Sequence, residues 1–580
     1  MDDEKMESVL NLARMLSDET RQSSETLNAG YDEEDDSWEI IIKYNGDLES
    51  TLPKGITLEP LIAGYGILTV PASLMENVAP NPQIEYAELP KRLYFEQKSD
   101  SRTIFLQDQT SVGETSLTGE GILIAVIDSG IDYTLPNFRN PDGSTRIEAL
   151  WDQTLRPDAE NPPPEGFAQG RLFTRHRIND ALRLALPLEA VPSADTSGHG
   201  TAVAGIAASS RLAGEYTGIA PGCDLLIVKL GNPSDKGFPR TTELMRALTF
   251  SVRYAFARNQ PLVINLSFGN SYGSHNGTSL LERFIDNVSE IGRTAICIGT
   301  GNEGLAGGRA SGYLTEGEPA EVEIQVASYE ANLSIQFWKN FVDSYTLRLT
   351  APGGESLLID PALSGRMERM LGHTRVLAFA GQPTPYSTNQ EIYFELLPSE
   401  YYIDEGVWRI RLEPSLIRNG FYYLYLPVAS TRNLGTRFLN PSQEMTLTIP
   451  STASRAIAVS AFHPLTGEFA DFAGRGAVSL DQFQEKSNIG AVRPTIAAPG
   501  VDVAAPMPGG GYAAFTGTSF AAPFAAGTAA LMMEWGILRG HDYFLYGEKL
   551  KAELIRAVRP LPGIARYPSE KAGFGGLYLK

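Results

Sequence analysis

Three short stretches place a carboxylate, an imidazole and a hydroxyl among small residues. In AVIDSGID (residues 125–132) an apolar run ends at Asp128. In DTSGHGTAVAGIAA (195–208) His199 sits between glycines, ahead of a small-residue run. In FTGTSFAAPFAAG (515–527) Ser519 heads an apolar stretch that reads as a buried helix. Acyl transfer needs a hydroxyl nucleophile, a neutral imidazole to take its proton, and a carboxylate to hold the imidazole's tautomer. Glycine allows backbone to approach such a site closely. A serine at a helix start gains N–H donors for a developing oxyanion. Singly, each residue has a plainer reading: His199 as a core histidine, Asp128 and Ser519 as helix caps. Together they point to one hydrolytic site. His176, His275, His373, His463 and His541 fall in no motif, and no HExxH or Cys/His cluster suggests zinc.

The elements that must position these groups follow from the apolar texture. GILIAVIDSG, CDLLIVKL, PLVINLSFGN and RTAICIGTGN are unbroken apolar runs that end in small or polar residues. Such runs are strands buried on both faces. Helical stretches such as TTELMRALTFSVRYAFARN lie between them, so an α/β fold with a doubly wound parallel sheet is expected. Functional groups in such sheets gather at the carboxyl ends of strands, where Asp128, Asn265, Ser267 and Asn302 all fall. From residue 305 to 445 the texture changes to short period-two runs, among them AEVEIQVAS, LSIQFWKN and FYYLYLPV. These predict an all-β module of sandwich or jelly-roll type, inserted into the α/β domain, whose texture resumes over 446–580. Residues 38–97 read as a small α+β domain, and residues 98–304 as the first part of the α/β domain. Up to Asp36 the chain carries twelve acids against three bases. Residues 1–37 are therefore expected to be an acidic solvated tail, with a short amphipathic helix at Val9, Leu10, Leu12, Ala13 and Leu16.

Composition narrows the partners. The chain has 580 residues, a net charge of −21 and 42% hydrophobic residues. That charge argues against nucleic acid and against an anionic membrane surface, both of which need Lys and Arg. Cys223 and Cys297, each in an apolar run, read as buried free thiols. No signal peptide is visible and no run of about 18 apolar residues is seen, so the expectation is a cytoplasmic protein that does not span a membrane.

The order Asp, His, Ser, in the motifs VIDSGID, GHGTAVAG and GTSFAAP together with GTGNEG, resembles the subtilases, the subtilisin-like serine proteases. The resemblance implies a subtilisin-like catalytic domain, preceded by a prodomain at 38–97 and interrupted by the jelly roll. It makes Ser519 the nucleophile, His199 the general base and then acid, and Asp128 its orienting carboxylate. Asn302 becomes the oxyanion-hole donor. Ser267, Phe268 and Gly269 would pair with an extended protein substrate, and Gly299, Thr300 and Gly301 would form the opposite S1 wall. Asp128 and His199 lie 71 positions apart, more than in a minimal subtilase. SSRLAGEYTGIAP lacks the asparagine-rich calcium loop of many subtilisins, so no cofactor is expected, although calcium stays open. This layout is similar to the clostridial germination proteases of Csp type, which activate a spore cortex-lytic enzyme. Hence a cytoplasmic or spore-associated, self-processing endopeptidase is expected. Self-cleavage would follow Gln97, with Tyr94 at P4, and the prodomain would stay in the substrate cleft. Ile449–Pro450, aligned with a turn where subtilisins carry a cis proline, is expected to be cis. The alternative is a pseudoprotease acting as a binding or regulatory protein.

Overall fold

The computed structural model describes residues 3–95, 98–102, 117–210, 216–233, 238–363, 365–477 and 493–578. The chain divides into two compact units. One comprises Leu93–Gly269, Leu281–Gly304 and Pro450–Lys580; the other comprises Met1–Arg92, Asn270–Leu280 and Leu305–Ile449.

The first unit is built on an eight-stranded sheet. Its order is Arg171–Thr174, Ile147–Asp152, Asp224–Lys229, Leu123–Asp128, Leu262–Leu266, Thr294–Gly299, Ile457–Phe462 and Ile496–Pro499. All pairings are parallel except that of the first two strands. The central strands are buried throughout, which is why their sequences are unbroken Val, Ile and Leu. Helices His199–Ala208 (here α2) and Thr518–Met533 (α3) pack on each other, and α3 also packs on the sheet. Alanine and glycine dominate both, because larger residues would not fit: a Cβ on Gly527 would lie 2.5 Å from the Ile219 Cβ. With its π-helical extension α3 runs to Leu538, and by length and composition this 21-residue helix could cross a membrane. The sequence-based expectation that no such stretch existed is corrected here. The helix is nevertheless 83% buried over its most apolar window, inside the protein's own core.

In the second unit, residues 309–438 form two antiparallel sheets, of six and five strands, around a core that includes Phe337, Phe394, Trp408 and Phe438. The six-stranded sheet buries apolar side chains on both faces. Along Asn389–Pro398, Ile392, Phe394 and Leu396 enter that core, while Tyr393 and Leu397 point the other way. The second face, with Leu377 and Phe379, is covered by the N-terminal residues. Helix Ser8–Arg14 (α1) contributes Val9, Leu10, Leu12 and Ala13 to that shared core. A small antiparallel sheet centred on Ser37–Tyr44 contributes Trp38, Ile40 and Ile42. The solvated tail expected over residues 1–37 is therefore not observed. Burying each of the Val, Leu and Ile side chains stabilises by about 1.5–3 kcal/mol, enough to order a charged segment. Acids of this segment, among them Asp18, Glu19, Glu25 and Glu33–Asp36, stay exposed while most of its apolar side chains are buried. Nor do residues 305–445 pack alone: they share a core with the N-terminal segment, and Asn270–Leu280 joins the same unit.

Two X–Pro bonds among the described residues are cis, Arg493–Pro494 and Tyr567–Pro568. Ile449–Pro450, expected to be cis, is trans. Ile449 exchanges both backbone hydrogen bonds with Asn270, at 2.8 and 2.9 Å, and the bond that follows has the isomer most X–Pro bonds adopt.

Candidate active site

Asp128 is the last residue of strand Leu123–Asp128 and is 1% exposed. Its Oδ1 accepts from His199 Nδ1 at 2.7 Å and from the Ser129 N–H at 2.7 Å. With Nδ1 so engaged, His199 Nε2 is left as the second ring nitrogen, buried and without a hydrogen-bond partner among the described residues. His199 is the first residue of α2, behind Gly198 at φ 78°, a left-handed conformation that favours glycine. Its ring packs between Phe95, at 4.7 Å, and Phe520, at 5.3 Å.

Ser519 lies in the first turn of α3, next to that Phe520. Its Oγ donates to the Ser267 carbonyl at 2.9 Å, and Ser267 Oγ donates to the Ser519 carbonyl at 3.0 Å. Asn265 Nδ2 supports this pair by donating to Ser267 Oγ at 2.9 Å. The structure thus joins Asp128 to His199 directly and sets Ser519 at the same strand ends, with its hydroxyl turned to Ser267.

Asn302 follows the strand Thr294–Gly299 and Gly301, which is at φ 86°. Its Oδ1 accepts from the Thr518 N–H at 3.1 Å, while Nδ2 is buried with no partner among the described residues. A backbone N–H can only donate, so it fixes which side of the amide is oxygen and leaves Nδ2 aimed away as a donor. Thr518 Oγ1 also accepts from the Gly301 N–H at 3.0 Å, locking the two loops together. Thr300 is buried, its N–H bonded to the Val459 carbonyl at 3.1 Å, and it follows Gly299, the last residue of its strand.

Phe268 and Gly269 are occupied. The chain's own Tyr94–Phe95 pairs with them antiparallel, Phe95 opposite Phe268 and Tyr94 opposite Gly269. On the other side the Leu93 N–H donates to the Pro239 carbonyl at 2.7 Å, and Tyr94 packs on Phe238 at 4.8 Å. An extended segment therefore lies in a groove beside His199. Gln97, the expected processing position, lies outside the described residues. Beyond it, Lys98–Arg102 pairs with Tyr512–Thr516, the strand that leads into α3.

Sequence reasoning missed the roles of Thr518, Phe95 and Phe238; only the position of Thr518 inside GTSFAAP hinted at one. Cys223 and Cys297 are free and buried, as expected, and burial pushes both thiols up, Cys223 to about 12. Among the described residues no group of three or more His, Cys, Asp or Glu is placed to hold a metal.

Comparison with known proteins shows the family of the chain. The model of the subtilase family matches residues 119–391 and 417–575. That of the Csp protease B prodomain matches residues 4–91, including the segment expected as a tail. The solved structure of the Clostridium perfringens CspB protease is similar, with a TM-score of 0.71 and 31% identity, over 80% of this chain and 92% of that one. A subtilisin of Bacillus sp. strain TA39 is 27% identical over 198 residues, 33% of this chain and 38% of that protein. Subtilisin E of Bacillus subtilis strain 168 is 25% identical over 236 residues, 41% of this chain and 48% of that protein. The match thus spans less than half the length of either subtilisin. With the family models covering most of its length and the CspB protease structure similar, the chain belongs to the subtilase family, as a member of Csp type.

Proposed function

We propose that this chain is a serine endopeptidase that cleaves proteins through an acyl-enzyme. The observation that carries the reading is the buried Asp128–His199 hydrogen bond of 2.7 Å, with Nε2 left open beside the helix that bears Ser519. Ser519 attacks the scissile carbonyl after its hydroxyl turns from Ser267 to Nε2. His199 takes the proton and later returns it to the leaving amine, and Asp128 stabilises the imidazolium. Asn302 Nδ2 and the Ser519 N–H at the start of α3 take up the oxyanion charge. Ser267, Phe268 and Gly269 pair with substrate main chain, which gives affinity with little sequence demand, and Gly299, Thr300 and Gly301 wall the P1 side chain.

The N-terminal domain is then a prodomain, severed within about three residues of Gln97 and retained in the groove through Leu93–Phe95. No cofactor is invoked. The two antiparallel sheets are read as an inserted jelly roll. The Csp resemblance makes a spore cortex-lytic zymogen the candidate substrate, and a cytoplasmic or spore-associated site the candidate location. The test is Ser519→Ala beside wild type, probed with a fluorophosphonate and by denaturing gel. Wild type should be labelled and cut into two fragments that co-elute, and the variant should be neither labelled nor cut. Undiminished peptide hydrolysis in Ser519→Ala refutes the reading, and an unlabelled wild type points instead to a binding protein.

A further inference from the structure

We infer that Asp195 is a positioning residue of the hydrolytic site, holding the backbone that carries His199 against the loop that carries Asp128. The inference rests on the serine-peptidase reading above. Asp195 lies four residues before His199 and is 4% exposed. Its Oδ1 accepts from Ser129 Oγ at 2.8 Å, Ser197 Oγ at 3.2 Å and the Gly198 N–H at 2.9 Å. Its Oδ2 accepts from the Thr201 N–H at 2.8 Å and Thr201 Oγ1 at 2.7 Å. No cation pairs with it among the described residues, so N–H and O–H dipoles at the positive end of α2 hold its charge.

These bonds converge on one joint. Ser129 follows Asp128 directly, and its Oγ also accepts the Gly200 N–H at 2.9 Å. Thr201 Oγ1 accepts the Asp132 N–H at 2.9 Å. The His199 N–H donates to Ser197 Oγ at 3.2 Å. One carboxylate thus ties residues on both sides of His199 to residues just beyond Asp128. No side chain spaces the two segments: a Cβ on Gly200 would meet the Gly130 carbonyl and lie 3.1 Å from the Asp128 Cβ. The spacing that sets the Asp128–His199 bond is held by hydrogen bonds, and Asp195 is the acceptor they share.

The test uses the full chain and the labelling rate of Ser519 by a fluorophosphonate, across about pH 5 to 8, where imidazole titrates. Asp195→Ala should label roughly 10- to 100-fold more slowly, the scale of a reacting group misplaced by about an ångström. Asp195→Asn, which keeps one acceptor oxygen, should fall between it and wild type. A looser bond from Asp128 stabilises the imidazolium less, so the acid limb of the rate profile should move to lower pH in both. Ser129→Ala, which cuts the bridge and leaves Asp195 in place, should show the same shift, smaller. Wild-type rates and an unmoved limb in folded Asp195 variants overturn the inference. So does a slower rate with an unmoved limb that tracks a lower melting temperature. If both Asp195 variants fail to fold, a wild-type profile in Ser129→Ala overturns it. A wild type that does not label refutes the peptidase reading itself, which is a separate outcome.

Discussion

Replacing Glu395 with Gln should remove a pH dependence from the packing of the N-terminal segment on the six-stranded sheet. Glu395 and Glu391 lie on strand Asn389–Pro398 and are buried. Glu395 accepts from Ser24 Oγ at 2.7 Å and from the Tyr393 hydroxyl. Glu391 accepts from Gln336 Nε2 at 2.6 Å, near the ion pair of Lys91 with Glu7 at 2.6 Å. Burial pushes both carboxyls from 4.5 up to about 7. The charge of Glu7 adds to the rise at Glu391, which Ser8, Gln336 and Lys91 oppose; at Glu395 the bonds from Tyr393 and Ser24 oppose it. Each group therefore binds its proton more tightly folded than unfolded. Its contribution is complete below pH 4.5 and is lost as the pH rises through about 7. At 1.36 kcal/mol per unit, the displacement at Glu395 is worth about 3 kcal/mol above pH 7. A glutamine is neutral at every pH and can still accept from Ser24, so at low pH the exchange should cost no more than about 1 kcal/mol. The assay is hydrogen exchange of the amides of α1 and of strand Asn389–Pro398, in the uncut Ser519→Ala chain, corrected for intrinsic rates. Wild type should open more readily at pH 8 than at pH 5, and Glu395→Gln should recover about 2–3 kcal/mol of that difference. An opening free energy flat with pH in wild type, or an unchanged slope in Glu395→Gln, would refute the reasoning.

Asn302→Ala should lower kcat for a peptide substrate by roughly 10²–10³ with little change in KM, a scale measured on subtilisin itself rather than worked from this site. Leu10→Ala in α1 should cost about 2–5 kcal/mol and cause the severed N-terminal fragment to separate from the remainder on a sizing column. Cys223 and Cys297, buried and with raised thiol pKa values, should resist iodoacetamide at about pH 8 in the native chain and react fully in denaturant, as read by intact mass.

The parallel sheet was legible because its strands are buried on both faces and so read as unbroken apolar runs, from Leu123–Asp128 to Ile496–Pro499. The site residues were legible for a related reason. Asp128, Asn302 and Ser267 sit where such runs stop, and His199 and Ser519 begin helices too rich in small residues to be ordinary surface helices. The N-terminal segment was misread because its signal is divided. Val9, Leu10, Leu12 and Ala13 carry the helical period, but their covering surface, Leu377, Phe379, Tyr393 and Leu397, lies more than 350 positions away. Local composition, dominated by acids up to Asp36, cannot report a contact at that separation. The trans bond before Pro450 was misread from alignment alone, since nothing local to Ile449 or Pro450 specifies an isomer.

The geometry around His199 separates what is fixed from what must move. Asp128 and His199 are joined by a short buried bond, and Asn302 is oriented by the backbone of Thr518, so neither needs to reorganise. Only the Ser519 hydroxyl is engaged elsewhere, on the Ser267 carbonyl at 2.9 Å. Turning it gives up one neutral hydrogen bond, about 1 kcal/mol net, which slows the chemical step by no more than about tenfold. The larger obstacle in this state is occupancy. Phe95 lies against the imidazole while Tyr94 and Phe95 take up the edge of Phe268–Gly269, so a protein substrate binding as proposed would have to displace main-chain pairing and two aromatic contacts together. On the peptidase reading, release of the Leu93–Phe95 strand, rather than assembly of the triad, is therefore the step that governs when the site becomes available.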